Sequence, residues 1–393
     1  MPALLTLIAS LGIILVSAEG FTNGIEWLGA KLHLSHGAVG SILAAVGTAM
    51  PETLIPIIAI LFGGRVDAES IGIGAILGAP FMLSTLALFI AGTAALVFRH
   101  NGGYRVRMLV QREVIERDLR FFLIVYLTAI LAAFLPWHPI KAVTALSLVS
   151  AYAVYAYRTV TSGRGAGDED LGPLHFARCL GSRARAAGTH AAWSAARSPE
   201  PPTRLVVLQA LVALAGIVAG AKVFVNSVEA LSSLVYLPPF VLSLIVAPIA
   251  TELPEKFNSV LWIRRGKDTL AVGNITGAMV FQSSVIPAVG MLLTDWKLDW
   301  LAVASAALAL ASAGLVLWVM SRRGEVRPVT LLTGGFFYLC FIAAVLVSRS
   351  ANPGYLLLFA PYALVHWLLL RRYERQAGRA RGREAGARVV AGG

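Results

Sequence analysis

Two short stretches of the chain place a glutamate directly after a proline inside an otherwise apolar run. They are GTAMPE at 47–52 and ATELPE at 250–255. A carboxylate near the centre of a bilayer costs about 2.5–3.5 kcal/mol on insertion scales, and such residues usually mark ion pathways. A proline inside a helix also frees the carbonyl four residues before it. Each stretch therefore offers carboxylate and carbonyl oxygens, which are the ligands that hard cations such as Ca²⁺ bind.

A threonine lies four residues before each of these glutamates: Thr48 before Glu52, and Thr251 before Glu255. Residues four apart share one face of a helix, so each stretch predicts half of an oxygen cage around one ion. Glu252 lies three residues before Glu255 and adds a carboxylate near the same face. A structural ion pair is the alternative for a single glutamate, and a matching pair of glutamates makes that alternative weaker.

Lys256 follows Glu255 directly and leaves two alternatives open. Its ammonium could pair with a carboxylate, or its long side chain could extend toward the membrane surface. Proton exchange would need only carboxylates that bind and release protons, and Glu52, Glu255 and Glu252 would suffice for that.

Membrane-spanning helices are the elements that must hold these residues. Of the 393 residues, 57% are hydrophobic and 14% are charged, which is more apolar surface than a soluble domain of this size could bury. A helix needs roughly 20 apolar residues to cross a bilayer. The runs of that kind predict eleven spans, at 3–29, 37–63, 70–98, 120–135, 140–157, 205–233, 238–264, 269–293, 299–320, 329–348 and 353–370.

The distribution of basic residues predicts how these spans are oriented. One set of loops, together with the C-terminal tail, carries all but a few of the 33 Lys and Arg residues. The opposite set carries Arg65, Lys141, Lys297 and Arg349. The positive-inside rule then predicts an external N-terminus and a cytoplasmic C-terminus in the cell (inner) membrane. Because topology explains the net charge of +12, no nucleic-acid partner is expected; the bilayer is the expected surrounding.

The two halves of the chain resemble each other. A shift of 203 residues aligns Phe21, Asn23, Glu26, Thr48, Pro51 and Glu52 with Phe224, Asn226, Glu229, Thr251, Pro254 and Glu255. A shift of 199 then aligns Gly74, Gly78, Ala79 and Ser84 with Gly273, Gly277, Ala278 and Ser283. So many matches in order predict an internal repeat.

The repeat predicts the domain organisation. Residues 1–157 form a first repeat of five spans, 158–204 a polar cytoplasmic linker, and 205–348 a second repeat; 349–393 hold an extra helix and a basic tail. Because five is an odd number, the second half enters the membrane from the opposite side. The predicted fold is an all-α polytopic membrane protein of two inverted five-helix repeats plus one C-terminal helix, a plan common in secondary transporters.

Both halves resemble the calcium/cation antiporter superfamily, of which sodium/calcium exchangers are members. The resemblance covers 18–52 and 247–282. GTAMPE stands where the family has Gly-Thr-Ser-x-Pro-Glu. GNITGAMVFQ, at 273–282, stands where the family has Gly-Asn-x-x-Gly-Ser-Asn followed by a further polar position.

The resemblance implies a ten-helix core in which spans 2, 3, 7 and 8 line the ion sites. Spans 1 and 6 would slide so that these sites open to one side of the membrane and then to the other. The small residues Gly20, Gly24, Gly216 and Gly220 of the two sliding spans would suit close helix contact. By motif position, the resemblance implies Glu52 and Glu255 as central Ca²⁺ ligands, with Thr48, Thr251, Glu252 and Gln282 as further ligands.

Several positions depart from the family pattern. Ala49, Ala79 and Ala278 replace serines, and Leu83 replaces a polar residue. Sodium needs neutral oxygens, which these changes remove, so the counter-ion is left open between Na⁺ and H⁺.

The predicted function is secondary antiport by alternating access, exporting Ca²⁺ in exchange for Na⁺ or H⁺ and using no cofactor. Two alternatives stay open: proton-coupled exchange of another cation, and a relative that no longer transports. An enzyme is not expected, because neither H-E-x-x-H nor an intramembrane Gly-x-Ser-x-Gly occurs. The transported cations are the expected partners, and the oligomeric state is left open.

Overall fold

A computed structural model of the chain describes residues 2–31, 49–62, 68–98, 107–161, 174–175, 201–348, 359–371 and 374. This part of the chain is helical, apart from loops and a single β-bridge between Met108 and Val326. Its helices are α1 (Pro2–Lys31), α2 (Met50–Phe62), α3 (Ala68–Met82), α4 (Leu88–Val97), α5 (Arg112–Leu131), α6 (His138–Thr161), α7 (Thr203–Val235), α8 (Pro239–Arg264), α9 (Asp268–Leu293), α10 (Trp300–Arg323), α11 (Pro328–Val347) and α12 (359–371).

The all-α fold class is confirmed. Among the described residues, seven helices are long and apolar enough to cross a membrane, and two shorter apolar helices lie at Pro51–Phe62 and Pro239–Ile249. Most helix ends fall within a few residues of the predicted spans. The inverted repeat, the count of eleven spans and the domain boundaries stay predictions. Most of the linker 158–204 and of the tail beyond Arg371 lies outside the described residues.

The chain divides into two compact units. The first comprises Met1–Gly72 and Ser150–Leu242. Its centre is the contact between α1 and α7, where small residues let the two backbones approach closely. A Cβ added to Gly24 would lie 3.3 Å from the Ala210 backbone nitrogen, and a Cβ added to Gly216 would clash with Ser17. The close approach expected of these glycines is therefore present.

The helices α1 and α7 run antiparallel. Positions in contact along α1 fall in number as those along α7 rise: Gly24 with Ala210, Gly20 with Ala213, Ser17 with Gly216, Ile14 with Gly220, and Thr6 with Ser227. Gln209 joins the two helices by donating from Nε2 to the Gly20 carbonyl and to Asn23 Oδ1, each at 2.9 Å. If the two predicted halves cross the membrane in opposite directions, their first helices, α1 and α7, must run antiparallel in this way.

The second unit comprises Ile73–Val149 and Ser243–Gly393. In it α9 packs against α5, and α11 against α4. A single π-helical turn, Leu83–Ala87, joins α3 to α4 within what hydropathy predicts as one continuous span. Ser312 of α10 donates a hydrogen bond of 2.6 Å to the Ser84 carbonyl in this turn. Gly334 of α11 packs so closely against Thr85 that a Cβ there would clash.

Candidate cation-binding site

The first unit contributes Glu52, which lies in the first turn of α2. The rest of this helix is strongly apolar, yet the Glu52 side chain is only 8% exposed. Thr53, beside it, donates from Oγ1 to the Ala49 carbonyl at 2.6 Å, so this hydroxyl is used within the helix. The helix α2 therefore buries a carboxylate where its composition alone would place an apolar side chain.

The second unit contributes a buried polar stripe on α8. Glu252, Lys256 and Ser259 recur at spacings of four and three residues, which puts them on one helix face. All three are buried, and Thr251 beside them is 8% exposed. Thr251 donates from Oγ1 to the Ala247 carbonyl at 3.2 Å, which leaves the hydroxyl oxygen able to accept a hydrogen bond or to bind a cation.

Glu252 lies at the N-terminal end of this stripe and contacts two polar side chains. The Lys256 ammonium lies 3.1 Å from Glu252 Oε2, and the two side chains are 3% and 0% exposed. Gln282 of α9 donates from Nε2 to Glu252 Oε1. Of the two alternatives for Lys256, the structure therefore shows the ion pair and not extension toward the membrane surface.

A second polar contact between α8 and α9 lies about two helical turns further along α8. Asn274 donates from Nδ2 to Ser259 Oγ at 3.4 Å, so the asparagine that the family pattern retains is turned toward α8. The two contacts, at Gln282 and at Asn274, give this pair of helices a polar interface.

Asp118 on α5 is a buried acidic residue that the sequence patterns did not indicate. It is 2% exposed and accepts a hydrogen bond of 2.9 Å from Thr276 Oγ1 of α9. Its spacing from Ile115 and Phe122, three residues before and four residues after it, was the signal that could have found it. Both of those residues are fully buried, so Asp118 belongs to the buried face of α5.

The predicted site residues are described to different extents. Glu52 belongs to the first unit, whereas Thr251, Glu252 and Gln282 belong to the second. Thr48 lies outside the described residues, and so does the side chain of Glu255, although its backbone is part of α8. Among the side chains that are described, no three His, Cys, Asp or Glu residues form a metal-binding group. The two-glutamate site therefore stays a prediction from the repeat.

The sequence profile of the family described as "Sodium/calcium exchanger protein" matches residues 2–161 and 205–349. Among curated relatives, CaxA of Alkalimonas amylolytica, whose name describes it as an antiporter only provisionally, is 24% identical over 86% of this chain and 96% of its own length. The inner membrane protein YrbG of Escherichia coli (strain K12) is 22% identical over 84% of this chain and 93% of its own length.

Solved structures share the fold. The crystal structure of the H⁺/Ca²⁺ exchanger CAX superposes with a TM-score of 0.60 at 18% identity, covering 100% of this chain and 92% of that one. The sodium-calcium exchanger NCX_Mj superposes with a TM-score of 0.51 at 16% identity, covering 88% of this chain and 99% of that one.

Proposed function

Since this chain belongs to the sodium/calcium exchanger family, it is an integral multi-pass membrane protein and a cation antiporter rather than an enzyme, and we propose that it exchanges Ca²⁺ for protons. Glu52 and Glu255 are the proposed central Ca²⁺ ligands, with Thr48 and Thr251 as hydroxyl ligands. Ca²⁺ and protons compete for the same carboxylates, so loading one ion releases the other. Alternating access of that site to the two sides of the membrane then couples their movements.

The observation that carries this proposal is the burial of charged and polar side chains on apolar helices. Glu52 on α2 and Thr251 on α8 are each less than a tenth exposed. Buried ionisable groups in membrane helices are costly and usually lie on an ion pathway. In the predicted repeat, Glu52 matches Glu255 and Thr251 matches Thr48.

Protons are the proposed counter-ion because the chain lacks several neutral oxygens that Na⁺ would need. Ala79 and Ala278 carry no side-chain oxygen, and Leu83 lies where the family pattern has a polar residue. CAX and NCX_Mj, which are named for H⁺/Ca²⁺ and sodium-calcium exchange, share this fold. The fold therefore suits either counter-ion, and the side chains favour protons.

We further propose that the protein lies in the inner membrane with its N-terminus outside and its C-terminus in the cytoplasm. The concentration of Lys and Arg in one set of loops and in the tail supports this orientation. In the cell, the exchanger would then use the inward flow of protons to export Ca²⁺.

The experiment that tests the exchange is Ca²⁺ uptake by proteoliposomes that contain the purified protein. We expect a pH gradient with an acidic interior to drive Ca²⁺ accumulation in the complete absence of Na⁺. A Na⁺ gradient at equal pH on both sides should drive none. Uptake that requires the Na⁺ gradient would assign the coupling to sodium. Failure of both gradients to move Ca²⁺, with transport of another divalent cation, would assign a different substrate.

A further inference from the structure

The buried pair of Lys256 and Glu252 has no part in the Ca²⁺ site proposed above. The two residues lie one helical turn apart on α8, with 3.1 Å between Lys256 Nζ and Glu252 Oε2. Gln282 of α9 donates to the other carboxylate oxygen. The carboxylate therefore has a cation on one oxygen and an amide donor on the other, in a place that the solvent hardly reaches.

A carboxylate buried in this way stays charged only if a positive charge lies beside it. A diffusible monovalent cation would serve, and so does an ammonium that is covalently part of the chain. The carboxamide of Gln282 is 1% exposed, and its Oε1 has no hydrogen-bond donor among the described residues. Without the Lys256 ammonium, this oxygen and the Glu252 carboxylate would be buried oxygen ligands of the kind that Na⁺ binds.

We propose that Lys256 is a built-in counter-cation, whose ammonium occupies a monovalent-cation position at Glu252 and thereby makes the exchanger insensitive to Na⁺. This rests on the proposed Ca²⁺ exchange and adds the specificity for its counter-ion. Because Lys256 cannot leave the protein, the position at Glu252 carries no ion across the membrane. Coupling then passes through the remaining carboxylates.

The variant that opens this position is Lys256→Gln, because glutamine keeps a hydrogen-bonding side chain and removes the charge. Lys256→Arg keeps the charge and should behave as the wild type. Glu252→Gln/Lys256→Gln removes both charges and should neither need nor bind a monovalent cation. Arg265→Gln is the matched control for loss of one positive charge, because Arg265 is exposed and lies just after the same helix.

Two readouts report on the opened position. Thermal unfolding in detergent is compared in NaCl and in choline chloride, because a cation that binds only the folded state raises its unfolding temperature. We expect NaCl to raise this temperature for Lys256→Gln alone. The second readout is Ca²⁺ exchange in proteoliposomes at equal pH on both sides. The Na⁺ concentration that half-inhibits this exchange should be about tenfold or more lower for Lys256→Gln than for the wild type, a change within the usual range of coupling between ligands.

Each outcome decides the matter. A folded Lys256→Gln protein that is as insensitive to Na⁺ as the wild type, in both readouts, overturns the proposal and leaves Lys256 a structural residue. If the variant unfolds in choline chloride, recovery of the fold in NaCl supports the proposal and failure to recover overturns it. The unfolding readout needs no transport, so its result stands even if the wild type moves no Ca²⁺, which would overturn the proposed function instead.

Discussion

At the scale of single residues, buried lysines in this protein have specific oxygen partners. Lys141, near the start of α6, is 4% exposed and donates from Nζ to the Asp295 carbonyl at 2.6 Å and to the Trp296 carbonyl at 3.3 Å. Trp296 is itself fully buried and donates from Nε1 to the Ala129 carbonyl at 2.9 Å. These contacts hold the loop between α9 and α10 against α5 and α6.

Replacing Lys141 by methionine should therefore destabilise the protein. The variant leaves two loop carbonyls without their donor, and a buried polar group without a partner costs about 1–3 kcal/mol. We expect a lower unfolding temperature in detergent. Lys297→Met is the control in the same loop, because Lys297 pairs with the Asp295 side chain at 2.8 Å where both are well exposed.

The control pair should contribute little at any pH. The Lys297 ammonium, which donates a hydrogen bond to the Asp295 carboxylate, holds the pKa of that carboxylate below its usual value. Such a pair is present above the ordinary pKa of Asp and is lost as the pH falls through the lowered one. Because both groups are in solvent, screening keeps the effect on stability small. Equal unfolding temperatures for the two methionine variants would contradict the role given to Lys141.

At the scale of elements, the contact between α1 and α7 was predictable from small residues, whereas irregular turns were not. Hydropathy located α1 and α7 to within two residues at each end. It predicted a span at 120–135, but α5 begins at Arg112, because Glu116 pairs with Arg112 and Arg120 along the helix and extends it beyond the apolar run. The π-helical turn Leu83–Ala87 depends on Ser312 and Gly334, which are distant in sequence.

The close contact predicts that Gly220→Leu destabilises the protein. A Cβ at Gly220 would lie 2.8 Å from Ile14 Cγ1 and 3.3 Å from the Ile14 backbone nitrogen, so a leucine forces α1 and α7 apart. Overpacking of this kind typically costs about 1–3 kcal/mol. The measurement is again thermal unfolding in detergent.

Gly12→Leu on α1 is the matched control, because a Cβ at Gly12 meets nothing within 4 Å. It should keep the wild-type unfolding temperature or raise it slightly, since glycine is a poor helix former. Equal unfolding temperatures for Gly220→Leu and Gly12→Leu would contradict the close packing of α1 against α7.

At the scale of the whole molecule, the sequence predicted an all-α membrane protein of the exchanger family, and both are confirmed. Long apolar runs sufficed for the fold class, because a helix needs them to cross a bilayer, and the motifs GTAMPE and GNITGAMVFQ, which resemble those of the family, indicated the family. The partner of Lys256 did not follow from the sequence. On an isolated helix, the Lys256 side chain could either pair with Glu252 or extend toward the membrane surface. In the folded protein it pairs with Glu252, whose other carboxylate oxygen accepts a hydrogen bond from Gln282 of α9.

The central claim is that Glu52 and Glu255 together bind the transported Ca²⁺. The most direct test is uptake of radioactive Ca²⁺, driven by a pH gradient, into proteoliposomes with wild-type protein, Glu52→Gln or Glu255→Gln. Glu69→Gln is the control, since Glu69 is an exposed carboxylate at the start of α3. We predict that each of the first two variants folds and that its uptake falls to background, while Glu69→Gln keeps wild-type uptake. Wild-type uptake by either Glu52→Gln or Glu255→Gln would contradict the claim.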